Sequence, residues 1–245
     1  MGISWASSLA SAWTGRRRRR HRVDQLNSIE EALTLQLQNK SNKPDVFLWR
    51  GANDKFKSQF STKDTWNHTR TASPQVAWEK GVWFPHATPK YSFCVWLAVH
   101  DRLPTGDRML KWNIGFSGTC EFCRRCVESR DHLFFSCNYV SGIWASLTKG
   151  LLSTNYTTDW STLITFISTQ HKDLVHTFLL RYVFQTVVYE IWRERNGRRH
   201  GESPKPAAHL TKWIDQQVRD KLLIIRRAGD QRYNSGFQRW LHFLC

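Results

Sequence analysis

Residues 120–137 run Cys120-Glu-Phe-Cys123-Arg-Arg-Cys126-Val-Glu-Ser-Arg-Asp-His132-Leu-Phe-Phe-Ser-Cys137. Reduced to its soft donors, the stretch is C-x2-C-x8-H-x4-C. Three thiolates and one imidazole are what a closed tetrahedral Zn²⁺ site takes. The two residues between Cys120 and Cys123 make a tight turn that aims both sulfurs at one point. One helical turn or a tight loop can bring His132 and Cys137 back to that point. No carboxylate stands in ligand register, so Cys120, Cys123, His132 and Cys137 predict one structural zinc per chain and no catalytic metal.

Other uses of these cysteines fit the sequence less well. A CxxC redox pair expects a βαβ setting, which is missing here. A zinc deaminase needs His-x-Glu upstream and Pro-Cys-x-x-Cys, and neither is present. Unligated core cysteines remain an alternative. Cys126 leaves the register open, because it makes a second CxxC with Cys123.

The rest of the chain sets the context. Its 245 residues suffice for one or two domains with a real core. Thirty-three aromatic residues, 13 of them Trp, argue against global disorder. Lys and Arg number 36 against 20 Asp and Glu, a formal charge of +16 that favours polyanionic partners, RNA or DNA. Most of this charge is spread along the chain. Only Arg16-Arg-Arg-Arg-Arg-His-Arg22 concentrates it, as a nuclear-localisation or nucleic-acid patch or as a solvated linker. Four of the six cysteines fall in one window, which favours metal over disulfides and a reducing, intracellular compartment. No apolar run approaches a membrane span.

Hydrophobic spacing predicts a mainly α chain. A helix from Val23 to Leu37 closes a basic N-terminal segment, 1–44. Asp45–Arg50 reads as a strand or extended piece, and Ser61-Thr-Lys-Asp64 as a capping box. Tyr91 to Val99 is apolar nearly all round and is expected to be buried. Thr105 caps Gly106–Trp112. Leu133-Phe-Phe135 is expected to plug into helices around Trp96, and Ser141 to cap the next helix. A long helix spans about Asp173 to Arg199, stopped by Gly197 or Gly201. A further helix is expected to start at Ser203-Pro204, and an aromatic tail from Phe237 docks back. Glu190 and Glu194, flanked by Arg193 and Arg195, read as ion-paired helix surface. These elements give three segments: 1–44, a small zinc-stapled helical domain at 45–150, and a helical extension at 151–245.

Several strings together resemble one family. Asp45-Val-Phe-Leu-Trp-Arg50, Phe60-Ser-Thr-Lys-Asp-Thr-Trp66, Val82-Trp-Phe84 and Pro89-Lys-Tyr-Ser-Phe-Cys-Val-Trp-Leu-Ala98 come first. Asp101-Arg-Leu-Pro-Thr-Gly-Asp-Arg108, the Cys120/Cys123 pair and His132-Leu-Phe-Phe-Ser-Cys137 follow in the same order. They resemble the plant reverse-transcriptase zinc-binding domain, the module that follows the polymerase in non-LTR retrotransposons. Tyr189-Glu-Ile-Trp-Arg-Glu-Arg-Asn196 is similar to the helical tail that often trails it. The resemblance implies the same four zinc ligands, with Cys126 outside the pattern. The polymerase itself is not implied, since the chain has no Asp-Asp dipeptide for two-metal phosphoryl transfer. No P-loop, dinucleotide fingerprint or nucleophile elbow occurs. The expected function is a non-catalytic nucleic-acid-binding module derived from a retroelement. Arg124, Arg125, Arg130, Lys111 and Arg108 are the expected phosphate contacts. Trp112 and Phe122 are stacking platforms if exposed and core if not. The alternatives are a zinc-stabilised protein-interaction scaffold, docking on a reverse transcriptase or another protein, and a functionless relict.

Overall fold

The structure is a computed structural model and describes residues 6, 11, 14–15, 20–38, 46–51, 54–71, 73–112, 117–169, 171 and 173–244. Arg16–Arg19 of the basic run lie outside them, as do Asp45 and Cys245. The described elements are almost all helical, the only sheet among them being a two-stranded hairpin. None of their helices is long and apolar enough to cross a membrane. Chain contacts divide the protein into two compact units, residues 1–73 and 74–245.

In the first unit, α1 (Asp24–Gln38) is the helix expected from the Leu26/Ile29/Leu33 spacing. Its entry is held by His21, whose backbone N–H donates to Asn27 Oδ1 at 2.7 Å. The run before Arg50 is regular only at its end, where β1 (Trp49–Arg50) pairs antiparallel with β2 (Phe56–Lys57). The helix α2 (Thr62–Thr69) opens on Ser61, whose Oγ accepts from the Asp64 N–H as the capping box requires.

The second unit holds eight further α-helices among its described residues. These are α3 (Glu79–Val82), α4 (Pro89–Val99), α5 (Gly106–Trp112), α6 (Asn138–Leu152), α7 (Trp160–Ser168), α8 (Leu174–Arg199), α9 (Ala207–Arg227) and α10 (Gly236–Leu244). The central element is α8, which is buried on most of its surface. Asp173 caps it by accepting from the His176 N–H. It passes through Gly197 and stops at Gly201, whose φ of +86° suits a residue without Cβ. Helices α4, α6, α7, α9 and α10 all pack on it, so one core runs from Val82 to Trp240. The aromatic tail forms α10 and docks on α6 and α9, burying Trp240.

Four local expectations need correction. Helix α4 is not buried all round: Phe93 is 54% exposed. It stacks on Trp96 at the surface, where Arg102 covers the indole. Helix α6 starts three residues before Ser141, because the Cys137 carbonyl accepts the first helical N–H groups, from Val140 and Ser141. Helix α9 starts at Ala207 and not at Ser203-Pro204. The intervening chain stays extended so that the Lys205 N–H can reach Glu194 Oε1 at 2.8 Å. Finally, Glu190, Glu194 and Arg195 are ion-paired but are not helix surface. Each is less than 4% exposed.

Candidate metal centre

The first two ligands come from a short hairpin. Its arms pair through Thr119 and Val127, and the Glu128 N–H donates to the Gly118 carbonyl at 2.8 Å. At the tip the Cys120 N–H donates to the Cys126 carbonyl at 2.8 Å, and the Arg124 N–H to the Cys120 carbonyl at 2.9 Å. This last bond closes the Cys120–Cys123 turn. It requires Arg124 to adopt φ +54°, a left-handed conformation that costs a side-chain-bearing residue about 1–2 kcal/mol.

The second pair depends on an unusual helical turn. His132–Ser136 is π-helical, and the Cys137 N–H donates to the His132 carbonyl across five residues at 2.8 Å. In an α-helix at about 100° per residue, positions five apart point about 140° away from each other. The wider turn removes that mismatch, and Cys137 then leaves in extended backbone at ψ 131°. H-x4-C spacing and a π-turn are therefore one feature, in keeping with π-bulges at functional positions.

The four side chains meet. One ligand atom from each of Cys120, Cys123, His132 and Cys137 falls within 4.8 Å of all the others. Cys120 Sγ and Cys137 Sγ are 3.9 Å apart, and Cys123 Sγ and His132 Nε2 are 3.3 Å apart. Tetrahedral zinc with Zn–S near 2.3 Å and Zn–N near 2.0–2.1 Å places such pairs about 3.8 and 3.6 Å apart. The donor set, its closure and its spacing fit a structural zinc ion, which would cross-link the hairpin to the π-turn. Cys126 is exposed and outside the cluster, which resolves its register. Cys94 is a buried core thiol, pushed up to about 12 by burial.

Residues 60–144 match the family described as zinc-binding in reverse transcriptase. All four ligands of the zinc-binding domain lie inside that match. No curated protein matches the chain, and no solved structure does. The matched family is a zinc-binding module and not the catalytic part of the polymerase.

The zinc-binding domain is welded to the helices that follow it. Leu133, Phe134 and Phe135 are fully buried. The ring of Phe135 lies 4.8 Å from Trp144 and 5.5 Å from Phe184, and the ring of Phe134 lies 5.6 Å from Trp160. The expected plug is present, and its rings meet a cluster on α6, α7 and α8. On the hairpin side Glu128 is fully buried and accepts from Arg195 of α8 through Nε at 2.9 Å. The same carboxylate accepts from the Gly106 N–H at 3.0 Å, tying the start of α5 to the hairpin. Gly106 and Gly118 touch so closely that a Cβ on either would collide with its neighbours. At the knuckle, Phe122 stacks on Tyr139 at 4.7 Å, and the Arg198 guanidinium lies over both rings. Nothing local in the sequence marked Glu128, Arg195, Tyr139 or Arg198, since their partners are distant along the chain.

The expected phosphate contacts sit as follows. Arg124 and Arg125 project from the hairpin tip and are exposed, as is Lys111 on α5. Arg108 is half-buried, 3.5 Å from Asp101 and stacked over Trp112 at 5.3 Å. Arg130 packs on Trp160 at 4.8 Å, and its Nε donates to Asp131. Of the two candidate stacking residues, Trp112 is 62% exposed, whereas Phe122 is half-buried in the knuckle packing.

Proposed function

We propose that the chain is a non-catalytic nucleic-acid-binding module, derived from a retroelement polyprotein, in which zinc sets the shape and the basic surface binds. The observation that carries this reading is the placement of cations around the metal site. Arg124 and Arg125 stand exposed at the tip of the zinc hairpin. Helix α5, which packs against the same hairpin, presents Lys111, Arg108 and the open face of Trp112. Cations interleaved with an exposed indole suit a single strand, whose phosphates are neutralised while bases stack. Arg130, held on Trp160, contributes at most at the edge. A net charge of +16 draws a polyanion to this surface. The Arg16–Arg22 run belongs to the same proposal as an added phosphate contact or a nuclear-localisation signal. A fluorescent fusion that loses nuclear accumulation on neutralising the run would support the localisation role.

The test is binding of labelled single-stranded RNA and DNA to zinc-loaded protein across a salt series. Affinity should fall steeply with salt. Neutralising Arg124, Arg125 and Lys111 together should flatten the log–log slope by about 2, at roughly 0.7 per phosphate contact. A slope near zero for the wild type would sink the reading.

A second reading, a protein-interaction scaffold, has its own observation. In the first unit Phe47, Trp49, Phe56, Phe60 and Trp66 are all exposed. A pull-down that survives nuclease and depends on these residues would favour it.

A further inference from the structure

A cavity of about 410 Å³ opens in the second unit between the α4–α5 connection and the C-terminal end of α8. Its lining is mainly apolar, from Leu97, Leu103, Pro104, Met109 and Trp192, with Asn196, Arg199 and His200 among the polar residues. The volume falls within the range of ordinary small-ligand pockets. None of the residues expected from the sequence to contact phosphate lines it.

Three observations decide what could enter. Arg195 also lines the cavity, but its charge is already met by the buried carboxylate of Glu128. The helix end that borders the cavity carries the negative pole of the α8 dipole. A bare phosphate is therefore poorly served here, and a flat neutral group is well served. The third observation is the orientation of Asn196. Arg195 Nη1 donates to Asn196 Oδ1 at 3.0 Å, and since a guanidinium can only donate, this fixes the amide oxygen toward Arg195. The Asn196 NH₂ is left to donate elsewhere. Arg195 also lies over the Trp192 ring at 4.9 Å, which holds the indole in place.

We infer that this cavity receives one unstacked nucleobase of a bound single strand. The base lies against Trp192 and Met109, and the Asn196 NH₂ donates to an acceptor on its edge. This inference rests on the nucleic-acid reading above and gives that surface a specific subsite. Because Glu128 of the hairpin fixes Arg195, and Arg195 fixes both Trp192 and Asn196, the cavity is shaped by the zinc-bearing segment.

The experiment is calorimetric or ligand-observed NMR titration of the zinc-loaded full chain with the four ribonucleoside 5′-monophosphates and with ribose 5-phosphate. At least one monophosphate should saturate a single site and bind about tenfold or more tighter than ribose 5-phosphate, the worth of one stacked base. Met109→Trp, which fills the cavity, should weaken that binding by about tenfold or more while leaving the salt slope for oligonucleotides unchanged. Should M109W lose its zinc, Leu97→Trp takes its place and should weaken monophosphate binding in the same way. Equal binding of ribose 5-phosphate, or monophosphate binding indifferent to the variants, would overturn the inference. Salt-dependent oligonucleotide binding without monophosphate binding defeats the subsite alone. Monophosphate binding without any oligonucleotide binding defeats the wider reading and leaves the cavity a mononucleotide site.

Discussion

At the residue scale the informative side chains are buried charges. Glu128 and Arg195, 67 residues apart in sequence, form a pair with almost no exposure. Their worth lies in mutual satisfaction, because removing one partner strands the other in a dry site. Glu128→Ala should cost about 3–5 kcal/mol in denaturant unfolding, and Arg195→Met combined with it should recover part of that loss. Glu190 behaves differently. Burial raises its carboxyl above the usual range, only partly opposed by Arg193, and its Oε2 has no hydrogen-bond partner although Arg193 lies 3.0 Å away. A raised folded-state value means the folded protein holds this proton more tightly. Its contribution therefore falls as pH rises from the ordinary Glu value through the raised one. Glu190→Gln should be more stable than the wild type at pH 7, and the gain should shrink at pH 4. Urea melts at both pH values check this, and a loss of stability at pH 7 would refute it. No window on the sequence could have shown these roles. The Glu-x-x-x-Glu spacing looks like solvated helix surface until α4, α9 and the Lys205 segment are packed over it.

At the element scale the regular helices were legible and the irregular turn was not. The boundaries of α5 and α8, the cap at Ser61 and the stop at Gly201 follow from spacing, capping chemistry and glycine. The four ligands were legible as well, because soft donors at such spacing have few other uses. The π-turn was not, since its cause is tertiary. Leu133, Phe134 and Phe135 must all point inward while His132 and Cys137 converge, and only a widened turn does both. Inserting one Ala after Ser136 would carry Cys137 about a further 100° round the turn, so the insertion variant should lose its zinc while Ser136→Ala keeps it. Phe135→Ala, at the centre of Trp144, Trp160 and Phe184, should cost about 3–5 kcal/mol. Gly106→Ala should destabilise the junction of α5 with the hairpin, because the Gly118 carbonyl already occupies the space a Cβ needs. The starts of α6 and α9 were misplaced for a related reason. Cys137 and Lys205 are held by partners beyond their own helices, and those contacts override the local caps.

At the scale of the whole molecule, the zinc-binding segment and the helices after it share one core within residues 74–245. The family match ends at residue 144, inside α6, and the aromatic cluster continues into Trp160 and Phe184 beyond it. A chain stopped at Gly150 would leave Phe134 and Phe135 without these partners. It should aggregate or remain molten, as judged by dye binding and near-ultraviolet dichroism. Chelation should likewise be felt beyond the loop. Hydrogen exchange in α8 should accelerate when zinc is removed, because the hairpin anchors that helix through Glu128 and Phe122. Exchange in α1 and α2, in the other unit, gives a reference against which that change is read.

The most direct test is zinc content. Elemental analysis of the purified full-length chain and of its Cys120→Ser, Cys126→Ser and Cys137→Ser variants should find about one zinc per wild-type chain, bound by four ligands. Cys126→Ser should keep it. Cys120→Ser and Cys137→Ser should lose it and melt at lower temperature, since binding energy at such a site is folding energy. Stoichiometric zinc in Cys120→Ser or Cys137→Ser, or its loss in Cys126→Ser alone, would contradict the ligand set on which the rest stands.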